Sequence, residues 1–180
     1  MTNSDTTFQQ LSTPGDLTPE LRRSLVDCWV EVSNAGGAAG FPFLPVDPEV
    51  VDAAADRIGR SLDPQHSRLL LVHVGDSLVG WMNLRRSNDL LTAHWGTVHH
   101  VQTRPAVRGQ GLGASLMHRA REIARDEMGL EQLHLAARGG VGLEGFYGRL
   151  GWKEIGRWPG ALRLTPGDDR DEVLMLLAPL

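Results

Sequence analysis

Apolar residues recur along this chain at two spacings, and the spacings divide it into helices and strands. Thr6 to Leu11 reads as a short first strand. Thr18-Pro19-Glu20 reads as a helix start, with Thr18 as N-cap and Pro19 at the first helical position. Leu21, Leu25, Cys28, Trp29 and Val32 then fall on one face. Asn34 to Gly40 reads as a glycine-alanine loop outside the core. Asp47-Pro48-Glu49 repeats the start signal, and Val51, Ala54, Ile58 and Leu62 mark the buried side of a second helix.

Arg68 to Val74 and Leu78 to Leu84 flank the turn Gly75-Asp76, which predicts a hairpin. Ala93 to Thr103 predicts a third long strand. Simple alternation places Thr97, His99, Val101 and Thr103 on one face, and Val98, His100 and Gln102 on the other. A helix from Leu112 to about Met128 buries Leu112, Leu116, Ala120 and Ile123. A strand over Leu133 to Ala137 and a short helix over Leu143 to Leu150 follow. Trp152 to Trp158 and Glu172 to Leu177 predict closing strands around a turn at Pro166-Gly167-Asp168. The pattern predicts one α/β domain over residues 1–180: a mixed, mostly antiparallel sheet with helices on both faces and a β-α-β unit from Val98 to Ala137.

Composition narrows the function classes. The net charge of −4 argues against general nucleic-acid binding, which needs a basic face. Lys153 is the only lysine, so arginine carries nearly all positive charge, and its planar fork suits phosphate. Cys28 is the single cysteine, which excludes an intrachain disulfide and a thiolate cluster. His94, His99 and His100 lack the helical spacing of a zinc site, so no metal is expected. The polar start has no apolar signal core, and no apolar run is long enough to span a bilayer. A cytoplasmic protein without a membrane partner is the expectation.

The candidate chemistry sits in Arg108-Gly109-Gln110-Gly111-Leu112-Gly113. It joins a predicted strand to a predicted helix start. The first amides of a helix have no intrahelical partner, the dipole favours negative charge there, and glycine lets a phosphate approach closely. A P-loop would need Gly-Lys followed by Ser or Thr, which is absent. A dinucleotide fold would place the motif in the first β-α turn, with an acid at the end of the next strand; that strand ends in Ala136-Ala137-Arg138. A connection that binds nothing is the remaining alternative.

At these residues the chain resembles the general N-acetyltransferase superfamily, whose members move an acyl group from acyl-coenzyme A to an amine. Arg108, Gly111 and Gly113 match its cofactor motif. Phe146, Tyr147, Gly151 and Trp152 match its second signature. Within the superfamily the chain resembles the tabtoxin-resistance type of small-molecule acetyltransferase, through Gly36 to Phe41, Glu144 to Tyr147, and Ile155-Gly156 leading to Pro159-Gly160. The resemblance implies the acyl-CoA N-acyltransferase fold, with a cofactor core over about residues 93–152.

The resemblance further implies that Gly109, Gln110, Gly111, Leu112, Gly113 and Ala114 hold the pyrophosphate of acetyl-CoA, with charge from Arg108. Val101, Gln102 and Thr103 would pair with the pantetheine arm in a gap between splayed strands, flanked by Gly140 and Leu143. Tyr147 would serve as general acid to the leaving thiolate. The glutamate that many members carry on the cofactor strand is replaced here by Thr97, and Ala136 stands where the tabtoxin-resistance type has an acid. His99 matches one of the two histidines that serotonin acetyltransferases use, so His99 is the candidate base, directly or through water. His100 is read as structural.

The implied reaction is acetyl transfer to a small-molecule amine. A protein amine acceptor and a non-catalytic acyl-CoA binder are the alternatives. Trp29, Phe41, Phe43, Trp81 and Trp158 are candidate pocket linings. Asp27, Glu31, Asp168, Asp169 and Asp171 are candidate attractors of a cationic amine. The apolar ending Val173 to Leu180 suits either a core strand or the edge of a homodimer.

Overall fold

The computed structural model describes residues 6–180. Seven strands form one sheet: β1 (Thr6–Leu11), β2 (Ser67–Val74), β3 (Ser77–Arg86), β4 (Trp95–Thr103), β5 (Gln132–Arg138), β6 (Lys153–Thr165) and β7 (Asp168–Leu177). Their order is β1-β2-β3-β4-β5-β7-β6, antiparallel except for the β4–β5 pair. Helices α1 (Pro19–Asn34) and α2 (Pro48–Arg60) cover one face. Helices α3 (Leu112–Glu122) and α4 (Leu143–Arg149) cover the other.

The helix starts follow the capping residues. The Thr18 hydroxyl accepts from the Leu21 amide, and the Asp47 carboxylate accepts from the Glu49 amide at 2.9 Å. α3 runs on into a π-turn over Ile123–Glu127. Two cores result. Leu69, Leu71 and Trp81 point toward α1 and α2, while Leu70, Val72, Met82, Leu84 and Val98 point toward α3. Burial on both faces explains why the centre of β2 is an unbroken apolar run. Leu116 of α3 is fully buried in the second core. Leu116→Ala is expected to cost about 2–5 kcal/mol of stability, read as a lowered urea midpoint.

Three expectations change in the structure. The first concerns β4. Trp81 pairs with Gln102 but Asn83 pairs with His99, so one extra residue is inserted, and His100 has φ of 57°. This β-bulge resets the alternation. His99 and His100 share the α1/α2 face, with ring centroids 6.1 Å apart, and Val101 turns to the α3 side. Val101 and Thr103 therefore do not share the face of Thr97 and His99.

The second change is the closing hairpin. Both strands are longer than expected, because a bulge between Trp158 and Leu162 absorbs Pro159 and Gly160 instead of ending the strand. Cross-strand ion pairs such as Arg163–Asp169 hold its outer part. The third is the loop after α1. Ala39 is only 1% exposed, and its carbonyl accepts from the Trp29 indole at 2.7 Å, so this loop is anchored in the core.

Candidate active site

The parallel pairing of β4 with β5 is short. It covers only Trp95–Gln132, Gly96–Leu133 and Thr97–His134. Beyond Thr97 the strands part, so β4 backbone groups facing β5 lose their ladder partners. A cleft of about 700 Å³ opens there. It is lined by Val101, Gln102 and Thr103 of β4, by Arg108, Gly109, Gly111, Leu112, Gly113 and Ala114, and by Leu143 and Tyr147.

The glycine loop supplies the anion-binding end. Gly109 and Gly111 have φ of 78° and 82°, and a Cβ on either would meet open space. Their glycines answer the left-handed backbone, which an L side chain adopts at a cost of about 1–2 kcal/mol. Gly111 is the N-cap of α3, and its carbonyl accepts from the Ser115 amide at 3.0 Å. The amides of Leu112, Gly113 and Ala114 precede that first helical bond and are left for a ligand. At Gly113 a Cβ would come within 3.4 Å of the Phe146 ring, so α3 and α4 approach closely there.

Tyr147 lies on α4 and is 6% exposed. Its ring packs against Phe146 and Trp152 at 5.0 and 6.0 Å between centroids. Burial pushes its phenol up to about 12. Among the described residues its hydroxyl makes no hydrogen bond, so the proton is held and free to be donated into the cleft.

His100, read from the sequence as structural, lines this cleft and a second one. Its ring stacks on Trp81 at 5.4 Å and tilts against Trp29 at 4.9 Å. Burial, with a smaller contribution from His99, lowers its pKa to about 4. His99 lines neither cleft; desolvation and the Arg85 guanidinium lower its pKa as well. Both imidazoles are therefore neutral near pH 7. Below the unfolded histidine value of about 6.5, the unfolded chain binds a proton that folded His100 does not. The stability contributed by neutral His100 is present above that value and is lost as pH falls toward about 4. His100→Phe is expected to reduce the drop in melting temperature between pH 7 and pH 4.

Two residues expected at the cofactor, Gln110 and Gly140, are not among those lining the cleft. Gln110 is exposed and its amide reaches back to the Ala106 carbonyl. The Gly140 amide is taken by the Glu144 carboxylate at 3.2 Å. The cleft instead gains Arg138 and Arg149, which join Arg108 around it. Arg149 lies two residues beyond Tyr147, and its place on a short helix facing the loop is the signal that sequence reading passed over. Gln102 is 3% exposed, and neither end of its side-chain amide has a partner. A buried, unsatisfied amide on a cleft wall is a group ready for a ligand or water. The glycine loop, three free helical amides, three arginines and an unpaired strand edge fit the phosphates and amide arm of acetyl-CoA. Among the described residues no cluster of histidine, cysteine or carboxylate is placed to hold a metal ion, and no helix is long and apolar enough to cross a membrane.

A search of curated proteins gives no match. Solved structures match the fold across nearly the whole chain. An acetyltransferase of the GNAT family from Streptococcus pneumoniae is 18% identical, with TM-score 0.75 over 97% of this chain and 99% of that one. A Salmonella typhimurium protein assigned as an acetyltransferase, solved with its cofactor acetyl-CoA, is 17% identical, with TM-score 0.71 over 97% and 94%. A protein assigned as a phosphinothricin N-acetyltransferase is 17% identical, with TM-score 0.75 over 97% and 98%. The model of the acetyltransferase (GNAT) family matches residues 20–152, which include both motifs, the cleft and Tyr147. The chain belongs to the GNAT acetyltransferase family and is an N-acetyltransferase that uses acetyl-CoA.

Proposed function

We propose that the chain acetylates the amine of a small molecule by direct attack on the thioester of acetyl-CoA. The observation that carries this reading is the place of Tyr147. Tyr147 is buried, lines the cleft between the phosphate loop and the β4–β5 gap, and has an unpartnered hydroxyl. Bound acetyl-CoA supplies an activated acetyl thioester. The N–C bond to the acceptor forms, the C–S bond breaks, and the departing sulfur takes the Tyr147 proton.

The proton released by the nitrogen leaves on the opposite side. His100 stands between the two clefts as a neutral acceptor. His99, 6.1 Å behind it and open to solvent, passes the proton outward through water. The sequence-based choice of His99 as the base facing substrate thus becomes a relay with His100 in front. At pKa values below the ordinary histidine range both are weak bases, so they take the proton as the N–C bond forms. His100→Gln is expected to lower kcat about tenfold and to flatten the acid limb of the pH–rate profile near pH 4, measured from about pH 3 to 7.

The second cleft has a volume of about 380 Å³, a size suited to a small acceptor. Transfer assayed side by side on small amines and on a lysine peptide tests this. Turnover confined to the peptide would replace the small-molecule reading with a protein acceptor.

A further inference from the structure

The second cleft lies on the α1/α2 face and shares His100 with the cofactor cleft. Its apolar wall is Trp29, Phe41 and Ile58. Its charged groups are Arg57, from the last turn of α2, and Arg85, near the end of β3. No carboxylate lines it. Among the described residues neither arginine side chain makes a hydrogen bond or ion pair. Most other guanidinium groups of the chain are matched. Arg22 and Arg60 share Asp56, Arg104 holds Glu31, and Arg119 holds Glu122. In a chain of net charge −4, two uncompensated guanidiniums at one cleft stand out.

Four of the five acids expected to draw in a cationic acceptor are engaged elsewhere, and the fifth, Asp27, is not among the residues lining this cleft. Glu31 pairs with Arg104, Asp168 with Arg170, Asp169 with Arg163, and Asp171 with Arg157. A cation in the last turn of a helix also complements the dipole, but Arg60 already stands there beside Arg57. Arg85 has no such role. Burial and then the Arg85 charge lower the His99 pKa, and Arg85 has no carboxylate partner among the described residues.

We propose that this cleft holds the anionic group of the acceptor between Arg57 and Arg85, so that the acceptor is an amine that also carries a carboxylate or a phosphorus oxyanion. Planar guanidinium forks suit both oxyanions. The apolar wall takes the acceptor's carbon skeleton, and His100 marks the end at which the amine meets the thioester. A polyamine would meet two like charges in this cleft and no partner. The inference rests on the acetyl-transfer reading above and assigns its substrate class.

The test uses matched probes: an amino acid, its amide, its decarboxylated amine and its aminophosphonic analogue. Acetyl transfer is measured for each, with spermidine as the cationic control. The expected kcat/KM for an anionic member exceeds that for the amide at least tenfold, and the carboxylate and phosphonate arms show which oxyanion is used. Arg57→Gln with Arg85→Gln is expected to raise the KM of the anionic member at least tenfold, and Arg85→Lys to restore part of it. Both side chains are exposed and unpaired, so the substitutions leave the fold intact, as melting curves will show. Equal use of acid and amide, preference for spermidine, or a double variant that keeps the preference would overturn the proposal. Binding of the same probes to the CoA-loaded protein, followed by calorimetry, separates the two readings. Anion binding lost in the double variant, without transfer to any probe, would leave the cleft assignment standing and remove the transfer reading. Transfer confined to neutral or cationic probes would do the reverse.

Discussion

Tyr147→Phe lowers kcat by about two orders of magnitude and leaves the affinity for acetyl-CoA nearly unchanged. General acid catalysis contributes roughly 10²–10⁴-fold, and the substitution removes one oxygen while keeping the ring. The ring is what packs against Phe146 and Trp152, so the cleft wall survives. Burial raises the phenol to about 12, which keeps Tyr147 protonated throughout the neutral range. The same pKa predicts that activity shows no alkaline loss from Tyr147 below about pH 10. Stopped-flow thiol release and an acetyl-CoA titration on the variant measure the two quantities separately. A tightened or weakened acetyl-CoA affinity with unchanged turnover would make Tyr147 a packing residue.

Gly111→Asp is the second large effect. Gly111 has φ of 82°, and its Cβ position opens onto space beside the free amides of Leu112, Gly113 and Ala114. An aspartate there adds a negative charge where phosphate is expected and takes up the amides that would bind it. The KM for acetyl-CoA is expected to rise about 10- to 100-fold, equivalent to roughly 1.4–2.8 kcal/mol. Gly111→Ala separates the causes. It carries the backbone strain of about 1–2 kcal/mol without the charge. Calorimetric titration of both variants is the check, and a similar loss in each would assign the effect to strain alone.

The parts of the site that were legible in the sequence are those fixed by local chemistry. Gly109 and Gly111 force a left-handed turn at the mouth of a helix, and that turn needs no tertiary partner to be recognised. Tyr147 is legible because it sits in a short motif on one helix. The N-caps Thr18 and Asp47 are legible for the same reason.

What escaped depends on residues far apart in the chain. The bulge in β4 has no glycine to announce it; His100 takes a positive φ because Trp29 and Trp81, from α1 and β3, hold its ring. Alternation without the bulge assigns His99 and His100 to opposite faces. The outer part of the closing hairpin lacks apolar alternation, since salt bridges across the strands hold it instead. The arginine cleft draws on both α2 and β3, and neither element alone shows that Arg57 and Arg85 line one cleft. The pairing of acids with arginines is equally invisible in one dimension. It turns Glu31, Asp168, Asp169 and Asp171 from candidate substrate attractors into fold-stabilising partners.

The central claim is that this cleft transfers acetyl groups to a small amine and does not merely hold acetyl-CoA. The most direct measurement incubates the protein with acetyl-CoA and a panel of anionic, neutral and cationic amines. Free thiol and acetylated product are quantified together by absorbance and mass spectrometry. The account predicts equal amounts of both for at least one amine class, with the rate reduced about a hundredfold in Tyr147→Phe. Tight acetyl-CoA binding without acetylated product from any member would contradict it and make the chain a non-catalytic acyl-CoA binder.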